Sequence, residues 1–311
     1  MRIVFAGTPA FAADHLAALI DYPEANLLAV ITQPDKPGKR GKRLTPSPVK
    51  ELAQSHGLTL LQPPRLQAKD LAAFDIDLLI VVAYGQILSP KVLAQPKIAA
   101  LNVHASDLPR WRGAAPVQRA ILAGDRETAI SLMIMEAGLD TGPVVTKTTC
   151  SISDDDTSGS LFTKLAAIGC ETLIETLETI RTSGLKSVDQ STTGITYAHK
   201  IEKSEAKINW MQHADYIGRQ IRALAPDPVA FMGFGDLRIR CHHAAVADPV
   251  LVEAAPGTIL EKSKLGLRIQ CGVGQLWITH LQLPTGKGTV VSGAALANAQ
   301  ISGITPGARC Q

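Results

Sequence analysis

Six short apolar runs (residues 2–5, 27–32, 59–61, 77–83, 99–104 and 130–135) recur along the N-terminal half of the chain, with stretches of helical periodicity between them. Runs this short match buried strands, and helical segments between successive strands join them as parallel crossovers. The alternation therefore predicts an α/β fold built on a doubly wound, mostly parallel sheet. The helical segments carry their own punctuation. Ser47 supplies a side-chain cap, Pro48 suits the first helical position and Gly57 follows the last, which predicts a helix over 48–56. Residues 157–183 place Leu161, Leu165, Ile168, Leu173, Leu177 and Ile180 at near-helical spacing before Gly184, as expected of a long helix closing the first domain.

Residues 183–196 are rich in Ser, Thr, Gly, Asp and Lys and lose all apolar periodicity, the composition of an exposed linker. The expected organisation is a first domain over 1–189, a linker over 190–207 and a second domain over 208–311. With 311 residues, 46% of them hydrophobic, the chain can bury two cores. Past the linker, one helix over 213–224 precedes brief runs at 237–241, 257–260, 267–271 and 275–283, broken by glycine and proline; a small β-barrel is expected.

The formal net charge is only +3, so a polyanionic partner has to be met by a local patch. Five cysteines (Cys150, Cys170, Cys241, Cys271 and Cys310) stand far apart without a CxxC pair, which disfavours a disulfide framework and a zinc knuckle. Cys241-His242-His243 invites a metal reading, but adjacent strand residues point to opposite faces and no further ligand is near in sequence. The first residues read as a strand entering a loop rather than a signal peptide, and no run reaches membrane-spanning length, so a cytoplasmic location is expected.

The candidate chemistry lies in residues 102–140. Asn102 and His104 are two apart at the end of a strand and share one face. Open α/β sheets bind ligands at the carboxyl ends of their strands, where the loop over 107–113 would wall a crevice and the loop over 136–142 could deliver Asp140. An imidazole, a carboxylate and an amide suit acyl transfer to an amine: one manages a proton, one orients the imidazole, one donates to a developing oxyanion. No GxSxG elbow presents a serine, and Ser106 shares the face only if the strand continues. A hydrogen-bonded strand-end histidine and a turn aspartate before Gly142 would look the same, and spacing alone leaves both readings open. Arg110, Trp111 and Arg112 could stack on or pair with an anionic substrate, or form a surface turn.

A second stretch, 33–45, sets Lys36, Lys39, Arg40, Lys42 and Arg43 in a loop broken by glycine and proline. Such a flexible cationic finger suits a phosphate backbone, though a merely solvated charge run has the same composition. In the second domain Arg219, Arg222, Arg238, Arg240, Lys262, Lys264 and Lys287 suggest a weaker, diffuse basic surface.

The runs Phe5-Ala-Gly-Thr-Pro9, Val82-Ala-Tyr-Gly85, Asn102-Val-His-Ala-Ser106, Leu108-Pro-Arg-Trp-Arg-Gly-Ala-Ala-Pro116 and Gly138-Leu-Asp-Thr-Gly142 resemble the methionyl-tRNA formyltransferase family. The resemblance implies a formyltransferase-type, Rossmann-like catalytic domain and an OB-like, tRNA-binding barrel. It further implies transfer of the formyl group of 10-formyltetrahydrofolate to the α-amino group of methionine on initiator methionyl-tRNA. Asn102 and His104 would face the oxyanion, the amine proton would reach folate N10 through His104 or water, and Asp140 would hold and polarise His104. Ser106, Asp107, Leu108 and Pro109 would contact the folate, with the backbone of Val82, Ala83, Tyr84 and Gly85 forming the pterin pocket. The loop carrying Lys36 to Arg43 would enter the tRNA acceptor stem. Asp107 departs from the family, which usually has an aliphatic residue there; an outward orientation is expected to leave folate binding unaffected. The resemblance implies no metal, nicotinamide or ATP. Separately, no DNA or membrane partner is expected, and the chain is expected to be a monomer. A folate-dependent enzyme acting on an amino sugar or a nucleotide amine would share the catalytic trio, and the basic loop discriminates between them.

Overall fold

A computed structural model describes residues 1–37, 44–248, 251–283, 288–299 and 303–311. Lys39, Arg40, Lys42, Arg43 and Lys287 lie outside the described residues. Two compact units make up the chain: one of Met1–Pro116, Glu127–Ser151 and Phe162–Ala198, the other of Val117–Arg126, Ile152–Leu161 and His199–Gln311.

In the first unit a seven-stranded sheet is formed by β1 (Arg2–Gly7), β2 (Asn26–Ile31), β3 (Leu60–Leu61), β4 (Leu78–Val82), β5 (Ala99–His104), β6 (Glu127–Ile134) and β7 (Val144–Ser151). Its order is β7-β6-β5-β4-β1-β2-β3. The five strands from β3 to β5 pair in parallel, while β6 runs antiparallel to β5 and β7 antiparallel to β6. All five residues of β4 are buried, because an interior parallel strand has both faces covered and must be apolar throughout. The chain goes outward from β1 to β2 and β3, then returns to the other side for β4 and β5. This puts the topological switch point between β1 and β4, the place where open α/β sheets bind ligands at the carboxyl ends of their strands.

The helices follow their local signals. In α1 (Ala10–Ile20), Phe11, Ala12, Leu16 and Leu19 are buried. α2 (Pro48–Ser55) begins where expected, with Lys50 N–H donating to Ser47 Oγ at 3.1 Å. Among the predicted strands, the run at 130–135 starts earlier, at Glu127, and β7 was not foreseen. β7 lies at the sheet edge and carries Thr146, Lys147, Thr148 and Thr149, so it has no apolar run. Its threonines instead meet Thr172 and Thr176 of α4 (Ser158–Ser183), preceded in the chain by α3 (Pro116–Ala123), through hydroxyl pairs of 2.9 and 3.1 Å.

Part of the stretch read as an exposed linker is tied into the first unit. Val188 bridges Val144, and Tyr197–Ala198 pairs in parallel with Arg112–Gly113. Polar composition described its surface correctly but could not reveal these backbone pairings, which need no apolar side chain.

In the second unit α5 (Ala214–Ala223) buries Ile217 and Ile221. An antiparallel sheet is formed by β8 (Phe231–Phe234), β9 (Leu237–Ala247), β10 (Ile259–Ser263), β11 (Gly266–Gln270), β12 (Gln275–Gln282) and β13 (Val290–Ser292). Its order is β8-β9-β12-β11-β10, with β13 also on β12, a half-barrel over a core that includes Ile239, Leu267, Ile269, Leu276 and Ile278. β9 runs six residues past the expected end at Cys241, because its register shifts around His243 and the alternation is lost there.

Candidate active site

β5 ends at His104, and its two-residue period sends Asn102 and His104 to the same side. Asp140, on the loop between β6 and β7, meets both. Its Oδ1 accepts from Asn102 Nδ2 at 3.5 Å, its Oδ2 lies 3.6 Å from His104 Nδ1, and Oδ2 also accepts the Gly113 N–H at 2.8 Å. On the other side of the ring, His104 Nε2 lies 3.1 Å from the Trp111 carbonyl. The imidazole is thus held between two oxygens and is only 6% exposed.

The loop is shaped by its glycines. A Cβ on Gly142 would stand 1.9 Å from the Ile134 carbonyl oxygen, and one on Gly138 would stand 2.1 Å from Thr141 Oγ1. Asp140 itself adopts a left-handed backbone, φ +50°, which an aspartate tolerates better than a branched residue does. The Gly-Leu-Asp-Thr-Gly pattern is therefore a packing requirement around one carboxylate.

The stretch after His104 is closed by internal bonds. Ser106 is fully buried and its hydroxyl donates to the Arg110 carbonyl at 2.7 Å, so it is engaged in the turn rather than presented as a nucleophile. Ser131 Oγ donates to the Ser106 carbonyl at 2.7 Å and accepts the Leu108 N–H at 3.4 Å. The Pro109 carbonyl accepts the Thr196 N–H at 3.4 Å. Asp107 is exposed, 2.6 Å from Lys147 Nζ, which also donates to the Leu108 carbonyl.

The turn after β4 joins the same edge, since β4 and β5 are neighbours with Val81 opposite Asn102. Val82 is buried, Ala83 and Gly85 are exposed, and both of the latter have positive φ, +45° and +80°. Tyr84 points inward. Its ring joins the core, and burial, helped by the charge of Asp70, pushes its phenol up to about 12. The Tyr84 carbonyl accepts from Thr8 Oγ1 at 3.0 Å and Gln33 Nε2 at 2.8 Å. Gln33 Oε1 in turn accepts from Lys36, which is exposed at the root of the basic loop.

The reading of Arg110, Trp111 and Arg112 as a possible anion-binding trio is corrected at Arg112. Its guanidinium is 7% exposed and donates to Gln190 Oε1 through Nε at 3.1 Å and Nη2 at 2.7 Å. Arg110 stacks 4.5 Å over the Trp111 ring, whose N–H group on the backbone donates to Thr196 Oγ1 at 2.9 Å. Gln190, Thr196, Ser131 and Lys147 were not singled out in the sequence. None carries a motif, and their partners are far away in the chain.

Several basic residues of the second unit are likewise engaged locally. Arg219 Nε donates to the Leu122 carbonyl, Arg222 Nη1 to the Asp156 carbonyl and Lys262 to the Ala299 carbonyl, while Arg238 stacks 3.6 Å over Phe231. His243 Nδ1 lies 2.7 Å from Thr279 Oγ1; among the described residues no cluster of three or more His, Cys, Asp or Glu could hold a metal ion.

Comparison with known proteins gives a consistent answer. The formyl transferase family model matches residues 1–177, and the formyl transferase C-terminal domain model matches 200–299. Methionyl-tRNA formyltransferase of Pseudomonas paraeruginosa is 47% identical over 291 residues, covering 92% of this chain and 93% of that protein. The enzyme of the same name from Methylococcus capsulatus is 48% identical over 293 residues, with 92% and 93% covered. Among solved structures, methionyl-tRNA formyltransferase from Clostridium thermocellum shares the fold at TM-score 0.59 and 16% identity, covering 81% of this chain and 96% of that one. A sugar 3N-formyl transferase shares it at TM-score 0.66 and 18% identity, covering 92% and 98%.

Proposed function

The chain belongs to the methionyl-tRNA formyltransferase family, and from that membership we infer that it transfers the formyl group of 10-formyltetrahydrofolate to the α-amino group of methionine on initiator tRNA. The amino-sugar alternative rests on shared fold alone. The protein is proposed to act as a monomer in the cytoplasm.

The observation that carries the mechanism is the convergence of Asn102, His104 and Asp140 through one carboxylate. In the transfer the amine nitrogen bonds to the formyl carbon, the bond from that carbon to N10 breaks, and the amine proton passes to N10. Asn102 Nδ2 supplies a donor to the oxygen that becomes negative, joined by His104 Nε2 once it exchanges the Trp111 carbonyl for that oxygen. Asp140 fixes the imidazole through Nδ1, and the oriented ring relays the amine proton. Ser106, Asp107, Leu108 and Pro109, with the backbone of Val82, Ala83, Tyr84 and Gly85, flank the folate from adjacent strand ends beside the switch point. At Asp107 the contact is with main chain, because its carboxylate is drawn to Lys147. Lys36, Lys39, Arg40, Lys42 and Arg43 meet the phosphates of the acceptor stem.

Replacement His104→Ala tests the trio. Formylation should fall by a factor on the order of 10²–10⁴ while affinity for methionyl-tRNA is retained. Near-normal turnover in that variant would remove His104 from the mechanism.

A further inference from the structure

We propose that Gln190 is a positioning residue for the transfer, holding Asp140 against the catalytic face from a segment that otherwise lies on the surface. This rests on the reading of Asp140 as part of the catalytic trio. Across residues 186–195 every position is exposed except Gln190. Its side-chain amide is used at both ends. Oε1 receives the fork of Arg112, at 3.1 and 2.7 Å, and Nε2 donates to two carbonyls of the catalytic loop, Asp140 at 2.8 Å and Gly142 at 2.7 Å.

Those two carbonyls are that of the left-handed residue Asp140 itself and that of Gly142 two positions on, so the amide clamps the turn that aims the Asp140 carboxylate. A backbone in that region persists only where its surroundings over-determine it. The carboxylate is also fixed by the Gly113 N–H, and Gly113 follows Arg112 in the strand paired with Tyr197–Ala198. One amide thus ties the loop that carries Asp140 to the strand that receives its carboxylate. An acceptor toward Arg112 and a donor toward the loop are both required, a combination that the amide offers and a carboxylate does not.

Gln190→Glu separates the two ends. It keeps an oxygen for Arg112, with added charge attraction, but replaces the donor by an oxygen that faces two carbonyl oxygens. Wild type, Gln190→Glu, Asp140→Asn and the double variant are compared by single-turnover and steady-state formylation of methionyl initiator tRNA with 10-formyltetrahydrofolate, alongside thermal unfolding. The expected result for Gln190→Glu is a loss in kcat on the order of tenfold to a hundredfold, through misplacement of Asp140. KM for both substrates should stay within about twofold. In the Asp140→Asn background the same change should cost nothing further, since its target is already disabled.

A wild-type kcat in Gln190→Glu beside a crippled Asp140→Asn overturns the proposal and leaves the trio standing. Losses that multiply in the double variant overturn it as well, by showing that Gln190 does not act through Asp140. Wild-type turnover in Asp140→Asn would instead defeat the trio itself. If Gln190→Glu does not fold, Gln190→Asn, a neutral amide one methylene short of both partners, is put through the same comparison with the same outcomes deciding.

Discussion

At His15 the chain carries a fully buried imidazole whose Nδ1 bonds the Phe11 carbonyl at 2.7 Å and whose Nε2 has no partner. Burial lowers its pKa, so the folded state keeps it neutral over a range where the unfolded chain takes up a proton. For a base lowered in this way nothing is lost above the unfolded pKa, and stability declines as pH falls below it toward the folded value. The urea midpoint is expected to drop between about pH 7 and about pH 5, with a visibly shallower drop in His15→Met. Asp107→Leu makes the opposite kind of prediction. Its half-exposed ion pair with Lys147 contributes little, so folate affinity should stay within about twofold, and a several-fold gain would place the carboxylate in the pocket. Legibility differs between such residues for a physical reason. Asn102 and His104 announce themselves because a strand's period fixes which side chains share a face. Gln190 does not, since its role depends on three partners, each at least 48 positions away.

Among the elements, the loop between β6 and β7 gives the sharpest test. The Cβ of Gly142→Ala would meet the Ile134 carbonyl oxygen, a backbone atom that cannot rotate away, so the loop has to shift. A stability loss of roughly 1–3 kcal/mol is expected in urea titrations, with formylation falling further than that loss explains because Asp140 moves too. The start of α2 shows a boundary that local chemistry dictates: Ser47 caps it and Pro48 opens it. Ser47→Ala should cost about 1 kcal/mol. β7 shows the converse, since an edge strand anchored by threonine hydroxyls has no apolar signature to read. The strands with apolar runs were legible, the edge strand β3 included, and the edge strand built on threonines was not.

For the whole molecule, two cores were legible because the sequence changes from long strand–helix alternation to short strands broken by glycine and proline. The composition of the second unit was not, because residues 117–126 and 152–161 join it from between segments of the first unit, which a single cut cannot express. Acceptor binding belongs to this scale. With a formal net charge of only +3, the basic loop is proposed as a main source of attraction to tRNA. Replacing Arg40, Lys42 and Arg43 with alanine should weaken methionyl-tRNA binding and lower the slope of log affinity against log salt by roughly 0.7–0.9 per lost phosphate contact. Unchanged affinity and slope would take the loop out of the interface. The choice of acceptor is the central claim, and one competition decides it. The protein is given 10-formyltetrahydrofolate with methionyl initiator tRNA and a nucleotide-linked amino sugar together, and both products are quantified. Formylmethionyl-tRNA with no formylated sugar is the predicted outcome; a formylated sugar with unmodified tRNA would contradict it.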